Sequence, residues 1–393
     1  MTCCAKQITS GGFRSYPDRI NYEAHRPGLD QVYSCLSSGG DRKKRNTPMK
    51  SSIPSLLVIA LLATLLASCG PSTPGQQAAV PTVGPTQHTT SIGPNGRIAW
   101  QGFLDSDQTR AAIFSANADG SAVRQLTHPD PGDQDANPDW SPNGSNILFT
   151  LVPAHGKSEI FVMNADGTGL RQLTHCTGVC NGIGVGSWSP DSSQIVYSVA
   201  ENPIRSDGNA TDEALWIMHA DGSHPVQFTQ PPHPTSIADN FPAWSPDGKQ
   251  ILFVRNHQMH DAYDDQALFV INRDGTGLKQ VTAWGELKAG LAHWSPDGTR
   301  ILFQSFGSFP DGSTPQLYTI FPDGTHLVQL TANERNSWPT WSPDGTKIIF
   351  VHRSTTGQDQ NVHLYEMNAD GSGLLQVTRN PFWQLQPAWG PLP

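Results

Sequence analysis

The sequence lacks the short signatures that mark the common enzyme classes. It has no Gly-x-Ser-x-Gly nucleophile elbow, no His-Glu-x-x-His pair and no glycine-rich phosphate loop. The hydrolase, metallopeptidase and nucleotide sites built on those motifs are thereby excluded. Basic residues are scarce beyond residue 68, where 16 Lys and Arg face 30 Asp and Glu, against 9 and 4 in residues 1–68. An acidic body argues against nucleic acid as the partner. Cysteine is scarce as well, and Cys3, Cys4 and Cys35 have no zinc-ligand spacing. The apolar run from Ile53 to Ala67 covers only 15 residues, too short for a bilayer span.

Residues 1–48 show neither a helical nor a strand period and are read as a disordered or unexpressed leader, with Met49 as an alternative start. Residues 49–68 have the length and the preceding basic residues of a signal-peptide core. The segment ends in Leu66-Ala67-Ser68-Cys69-Gly70, which resembles a bacterial lipobox. That resemblance implies lipidation of Cys69 and an extracytoplasmic chain anchored to the bacterial membrane. The alternative is an ordinary secretory signal with an incidental cysteine. Residues 69–91 are rich in Pro, Thr and Gln and read as a flexible tether.

Residues 92–393 repeat. Trp341-Ser342-Pro343-Asp344-Gly345 leads into the apolar run Ile348-Ile349-Phe350, and the pattern recurs at Trp244 and Trp294. Looser copies begin at Trp140 and Trp188, and a truncated one at Trp389. The tryptophans stand 48, 56, 50, 47 and 48 residues apart, a period that belongs to solenoids, propellers and arrays. Pro presets φ, Asp tolerates the next position and Gly takes the left-handed one, so each copy is a tight hairpin turn. A second element follows, Asp-Gly and then Gln-apolar-Thr, six times. Each unit therefore reads as four short antiparallel strands, A to D, the composition of a propeller blade. Arg97-Ile98-Ala99-Trp100 reads as a B strand, and Pro387-Ala388-Trp389 as an A strand with no B strand after it. The expected fold is an all-β, six-bladed propeller whose C-terminal strand closes the ring, which removes open sheet edges.

These paired repeats resemble the TolB-type propeller over residues 92–393 and differ from the Gly-His…Trp-Asp signature of true WD repeats. The resemblance implies an extracytoplasmic protein-binding platform in the cell envelope. No counterpart of TolB's additional α/β domain precedes the repeats. No segment outside them would hold the hydrolase domain that accompanies some peptidase propellers. The alternative is a propeller enzyme acting on an extracellular polymer, in the manner of polysaccharide lyases, for which His293 beside Trp294 is the one suggestive residue. A monomer is expected, with no cofactor and no metal.

In an up-and-down blade the tight A–B and C–D turns share one face, and the longer B–C and D–A connections share the other. Varied loops on a repeated scaffold concentrate binding residues. Five positions before each tryptophan stand Asp135, Ile183, Asp239, Ala289, Asn336 and Gln384, with Asn240, Lys288, Arg335, Trp338 and Trp383 close by. The expectation is a partner site with unmatched charges at Asp135, Asp239, Lys288 and Arg335 and exposed aromatics at Trp338 and Trp383. The competing reading makes the polar residues caps of loop backbone and the tryptophans core. The loop His257–Asp265 is read as polar and solvated, since no zinc spacing is present. Cys176 and Cys180 are expected to form a disulfide outside the cytoplasm. The Asp-Gly turns lack the ligand pattern of an EF-hand.

Overall fold

The computed structural model describes residues 96–391 apart from 179, 202–211, 232–236, 258–265, 286, 306–313, 333, 355–361 and 380–381. The leader, the apolar run, Cys69, the tether and most of the His257–Asp265 loop lie outside the described residues. Every described element is a strand. Among the described residues no helix is long and apolar enough to cross a membrane.

The strands follow the repeat. β1 (Arg97–Phe103), β2 (Ala111–Asn117) and β3 (Arg124–Gln125) are followed by β4 (Gln134–Trp140), β5 (Asn146–Val152), β6 (Glu159–Asn164) and β7 (Arg171–Gln172). Next come β8 (Cys180–Trp188), β9 (Gln194–Glu201), β10 (Asp212–His219) and β11 (Val226–Gln227), then β12 (Ile237–Trp244), β13 (Gln250–His257), β14 (Gln266–Asn272) and β15 (Lys279–Gln280). β16 (Ala289–Trp294), β17 (Ile301–Ser305), β18 (Leu317–Ile320) and β19 (Val328–Gln329) form a four-stranded sheet. So do β20 (Arg335–Trp341), β21 (Lys347–Arg353), β22 (His363–Asn368) and β23 (Leu375–Gln376). The last strand, β24 (Gln384–Gly390), pairs antiparallel with β1, with Trp389 opposite Ile98. Single parallel bridges, Ala111 to Gln134 and Glu213 to Ala238, join two pairs of neighbouring units into eight-stranded sheets.

The repeated residues are explained by hydrogen bonds. In the A–B turn the Ser342 hydroxyl donates to Asp344 at 2.6 Å, and the N–H of Thr346 donates to the same carboxylate at 3.0 Å. The N–H of Lys347 then donates to Ser342 Oγ at 2.9 Å. In the C–D turn Asp166 accepts from the N–H and hydroxyl of Thr168 at 2.9 and 2.7 Å. These bonds to the charged form hold Asp166 below the usual carboxylate range. The Gln-apolar-Thr element fastens strand D. Gln172 Nε2 donates to the Thr174 carbonyl at 2.7 Å, and Thr174 Oγ1 accepts from the Ile160 N–H of strand C at 2.9 Å. The same backbone bond recurs at Thr127, Thr229, Thr282, Thr331 and Thr378.

The core lies between units. Each repeat tryptophan packs against the B and C strands of the preceding unit. Trp140 meets Ile113, Trp188 meets Leu148 and Ile160, and Trp244 meets Val196 and Leu215. Trp294 meets Leu252 and Leu268, and Trp341 meets Leu302 and Leu317. Trp389 shares a cluster with Ile349 and Leu364 of β21 and β22. The inner strands are bulged three residues before the tryptophan, where Asn137, Phe241, Leu291, Trp338 and Gln386 have φ of 51, 50, 49, 54 and 54°. Left-handed backbone at non-glycine residues is uncommon and must be held by its surroundings.

Candidate functional site

Most of the residues expected at the loop-side mouth are built into the scaffold. Asp135, Asp239, Asn336 and Gln384 are 2, 0, 3 and 1% exposed. Asp239 takes a two-pronged ion pair from Arg255, at 2.6 and 2.8 Å, and that guanidinium also lies over the rings of Phe253 and Phe269. Asn336 bonds to His352 and Gln316. Gln384 accepts from Thr378 of the D strand before it, and Asp135 from Thr127 in the same way. Burial nevertheless pushes the Asp135 carboxyl up to about 6, against the lowering effect of that bond. Asn240 is buried and donates to Glu213 at 3.3 Å. The expectation of an unmatched charge is thus corrected at Asp239, which Arg255 pairs; Asp135 is buried instead, with its Oδ1 left unbonded. The polar residue five before the tryptophan ties its strand to the preceding unit.

Trp338 is corrected too. It is 9% exposed, belongs to the core cluster of the first and last units and meets Phe241 edge to face. Its N–H donates to Gln304 Oε1 at 2.7 Å, which holds the bulge.

Lys288, Arg335 and Trp383 remain half-buried at that end of the strands. Arg335 and Trp383 come together through Arg353, a residue the sequence reading missed. Arg353 is the cross-strand partner of Arg335, and its guanidinium lies 5.2 Å from the Trp383 ring centre. Phe382, 38% exposed, precedes Trp383 in the chain. Strand register supplies Arg353. A B-strand end faces an A-strand start, so the pairing could have been read from the hairpin.

The opposite end of the inner strands carries a cavity of 380 Å³. Its walls come from β4, β8, β12, β16, β20 and β24 and the turns after them, including Trp140, Trp244, Trp294, Trp341 and Trp389 and the prolines that follow. The position before each tryptophan faces it at Ser187, Ala243, His293 and Thr340. His293 is the one ionisable side chain in the described lining. It is exposed towards the cavity, and desolvation by the surrounding protein lowers its pKa to about 4. Asp139 holds the same repeat position in β4. Burial pushes its carboxyl up to about 7, although it accepts from the Trp188 N–H at 3.1 Å and from Ser187. A neutral imidazole and a carboxyl poised near neutrality thus stand at equivalent positions of two units. Asp139 was missed, although its place before Trp140 matches that of His293 before Trp294.

Cys176 and Cys180 are disulfide-bonded, with Cα atoms 5.3 Å apart. Glu159 accepts from the Cys176 N–H at 2.6 Å, and Lys157 reaches the Cys180 carbonyl. Among the described residues no group of three or more His, Cys, Asp or Glu is arranged to hold a metal ion.

The repeat, the strand order and the packing of each tryptophan on the preceding unit can now be set beside known proteins. Residues 235–392 match the family model of the TolB beta propeller domain. That stretch, from β12 to β24, is similar to the TolB-type propeller repeat. TolB from Acinetobacter baumannii superimposes with a TM-score of 0.58 at 18% identity, over 76% of this chain and 67% of that one. A putative TolB from Agrobacterium tumefaciens gives 0.53 at 19%, over 75% and 93%. An oligogalacturonate lyase from Vibrio parahaemolyticus gives 0.50 at 15%, over 73% and 80%. Identities this low show the TolB-type fold and nothing finer. No curated protein matches the sequence.

Proposed function

We propose that this chain is a six-bladed, ring-closed TolB-type propeller that serves as an extracytoplasmic protein-binding platform, anchored to the membrane through Cys69. The ring reading is supported by the β24–β1 pairing and by Trp389 packing on β21 and β22. The location is supported by the signal-like segment, the lipobox resemblance and the Cys176–Cys180 disulfide.

The observation that carries the binding role is the cluster of Arg335, Arg353, Trp383 and Phe382. Two guanidiniums and two large aromatics stand on the side of the long connections, and binding hot spots are enriched in Trp and Arg. The partner is an envelope or extracellular protein that presents acidic and apolar groups there. Photo-crosslinking from position 382 in the native envelope should capture a discrete partner, and Arg353→Ala should abolish that capture without altering Tm. Capture only from the opposite face, for instance from Lys249 or Thr346, would reject this surface.

A second reading, a propeller enzyme acting on an extracellular polymer, is favoured by the cavity that His293 faces and by the likeness to a lyase fold. It requires that Thr340→Trp, which fills the cavity, abolish turnover of oligosaccharides by the purified body. Absence of turnover in the wild type excludes it.

A further inference from the structure

The C–D turns are built to one plan, and two of them depart from it at both positions. In the common form an Asn ends strand C and a left-handed Gly stands five residues on. Asn164 with Gly169, Asn272 with Gly277 and Asn368 with Gly373 are the examples. The two positions are coupled. A Cβ at Gly277 would lie 2.5 Å from Asn272 Nδ2, and at Gly169 and Gly373 the corresponding distances are 2.7 and 2.8 Å. The Asn amide donates to the Ser or Thr hydroxyl between them, as from Asn368 to Ser372 at 3.0 Å.

In the turn after β10 both positions are histidine. His219 replaces the Asn and His224 the Gly, at the same left-handed backbone with φ 54°. The rings lie face to face at a tilt, 4.7 Å between centres. Both Nδ1 atoms converge on one hydroxyl, Ser223 Oγ, at 3.3 Å from His219 and 3.0 Å from His224. A hydroxyl has a single proton, so it satisfies one ring as donor and the other only as acceptor. Both histidines are exposed, and the pair lies at a tight turn fixed by the Asp221 bond to the Ser223 N–H at 2.9 Å. Arg171 of the preceding unit sits against the carbonyls of Ala220 and Asp221 at 3.2 and 3.3 Å.

We propose that His219 and His224 form a two-imidazole site for a divalent transition-metal ion, copper(II) above all. Imidazole nitrogen suits copper, zinc and nickel, and copper(II) stands highest among them in affinity. The two Nδ1 atoms supply one edge of the coordination sphere, where they now share Ser223 Oγ, and water completes it. A turn of this plan needs no histidine to fold, as the Asn–Gly copies demonstrate. It also tolerates a single ring pair, since Phe321 and His326 stack at 4.3 Å in the equivalent turn.

The chain's own repeats provide the controls. His219→Phe copies the Phe321–His326 pair and leaves one ligand. His219→Asn with His224→Gly copies the Asn272–Gly277 pair and leaves none. The whole mature protein is titrated with copper(II) sulfate alone, read by calorimetry and by the nitrogen hyperfine lines of the copper resonance. The wild type should show a copper with two coordinated nitrogens that neither variant shows. Affinity for that equivalent should fall at least tenfold in both, with metal-free Tm unchanged. Equal stoichiometry and affinity in wild type and His219→Phe would overturn the site, as would the absence of any two-nitrogen copper in the wild type.

Discussion

The backbone N–H of Asn137 donates to the side-chain Oε1 of Gln386 at 2.6 Å, across 249 positions of sequence. It binds the bulge of the second unit's inner strand to that of the C-terminal strand. Next to it, the ring of Trp140 occupies the space that a Cβ on Gly390 would need. The two ends of the repeat region are thus held through inner-strand contacts as well as through the β1–β24 ladder.

The pairing of β24 with β1 gives the first prediction. Trp389→Ala should destabilise the body by about 3–5 kcal/mol, the usual loss for a large buried aromatic. Deleting 386–393 also exposes the edge of β1 and should produce unfolding or aggregation, read by thermal melting and light scattering. A truncated body with wild-type Tm would refute the dependence.

The Gln-apolar-Thr element gives the second. Thr229 Oγ1 accepts from the Leu215 N–H at 3.0 Å, and its hydroxyl proton serves Asp239. Thr229→Val keeps the shape but orphans a buried N–H, which costs about 1–3 kcal/mol. Denaturant unfolding should show this loss with an unchanged m-value. Gln227→Ala, which removes a half-buried bond to the Thr229 carbonyl, should cost less.

Trp338 and Arg335, both expected at the partner site, should now separate. Trp338→Ala empties a core position and should lower Tm by several degrees, with a loss of about 3–5 kcal/mol. Arg335→Ala should leave Tm within about one degree, since it removes only a half-buried surface side chain. Equal effects on Tm would contradict the different burial of the two.

The inner-strand carboxyl gives a pH dependence. An ordinary Asp titrates near 3.8, whereas folded Asp139 titrates at about 7. The folded chain holds a proton that the unfolded chain releases, so this contribution is complete below pH 3.8 and lost as pH rises to 7. His293 acts in the opposite sense. Its pKa is lowered from 6.5 to about 4, so its contribution is complete above pH 6.5 and lost as pH falls towards 4. Asp139→Asn abolishes only the first slope. The Tm of the variant relative to wild type should therefore rise between pH 4 and 7, by about 2–4 °C for each kcal/mol at this size. A constant offset across that range would show that Asp139 does not titrate there.

The proposed anchor rests on Cys69. Mass spectrometry of the mature protein should find acyl mass on that residue, and Cys69→Ala should release the protein into the medium. A wild-type N-terminus downstream of Cys69, or one without lipid, would refute the anchor.

The tryptophan period, the turn residues and the Gln-apolar-Thr copies made the strand order legible from sequence alone. Each of these is a local device: Pro and Gly set φ, Asp and Ser bond within a few residues, and alternation sets the strand face. The disulfide partners were legible for the same reason, standing four positions apart. What local pattern could not decide was which polar residues reach water. Asp239 looks free in sequence, but Arg255 reaches it only because β12 and β13 pair in one register. Trp338 looks exposed until a left-handed bulge and the neighbouring unit enclose it. Arg353, Asp139 and the cavity that His293 faces also emerge from register and from the meeting of different units. The sequence determined the repeated unit because its bonds are short-range. Tertiary structure decided the site because burial and pairing there depend on neighbouring strands and on residues up to 249 positions apart.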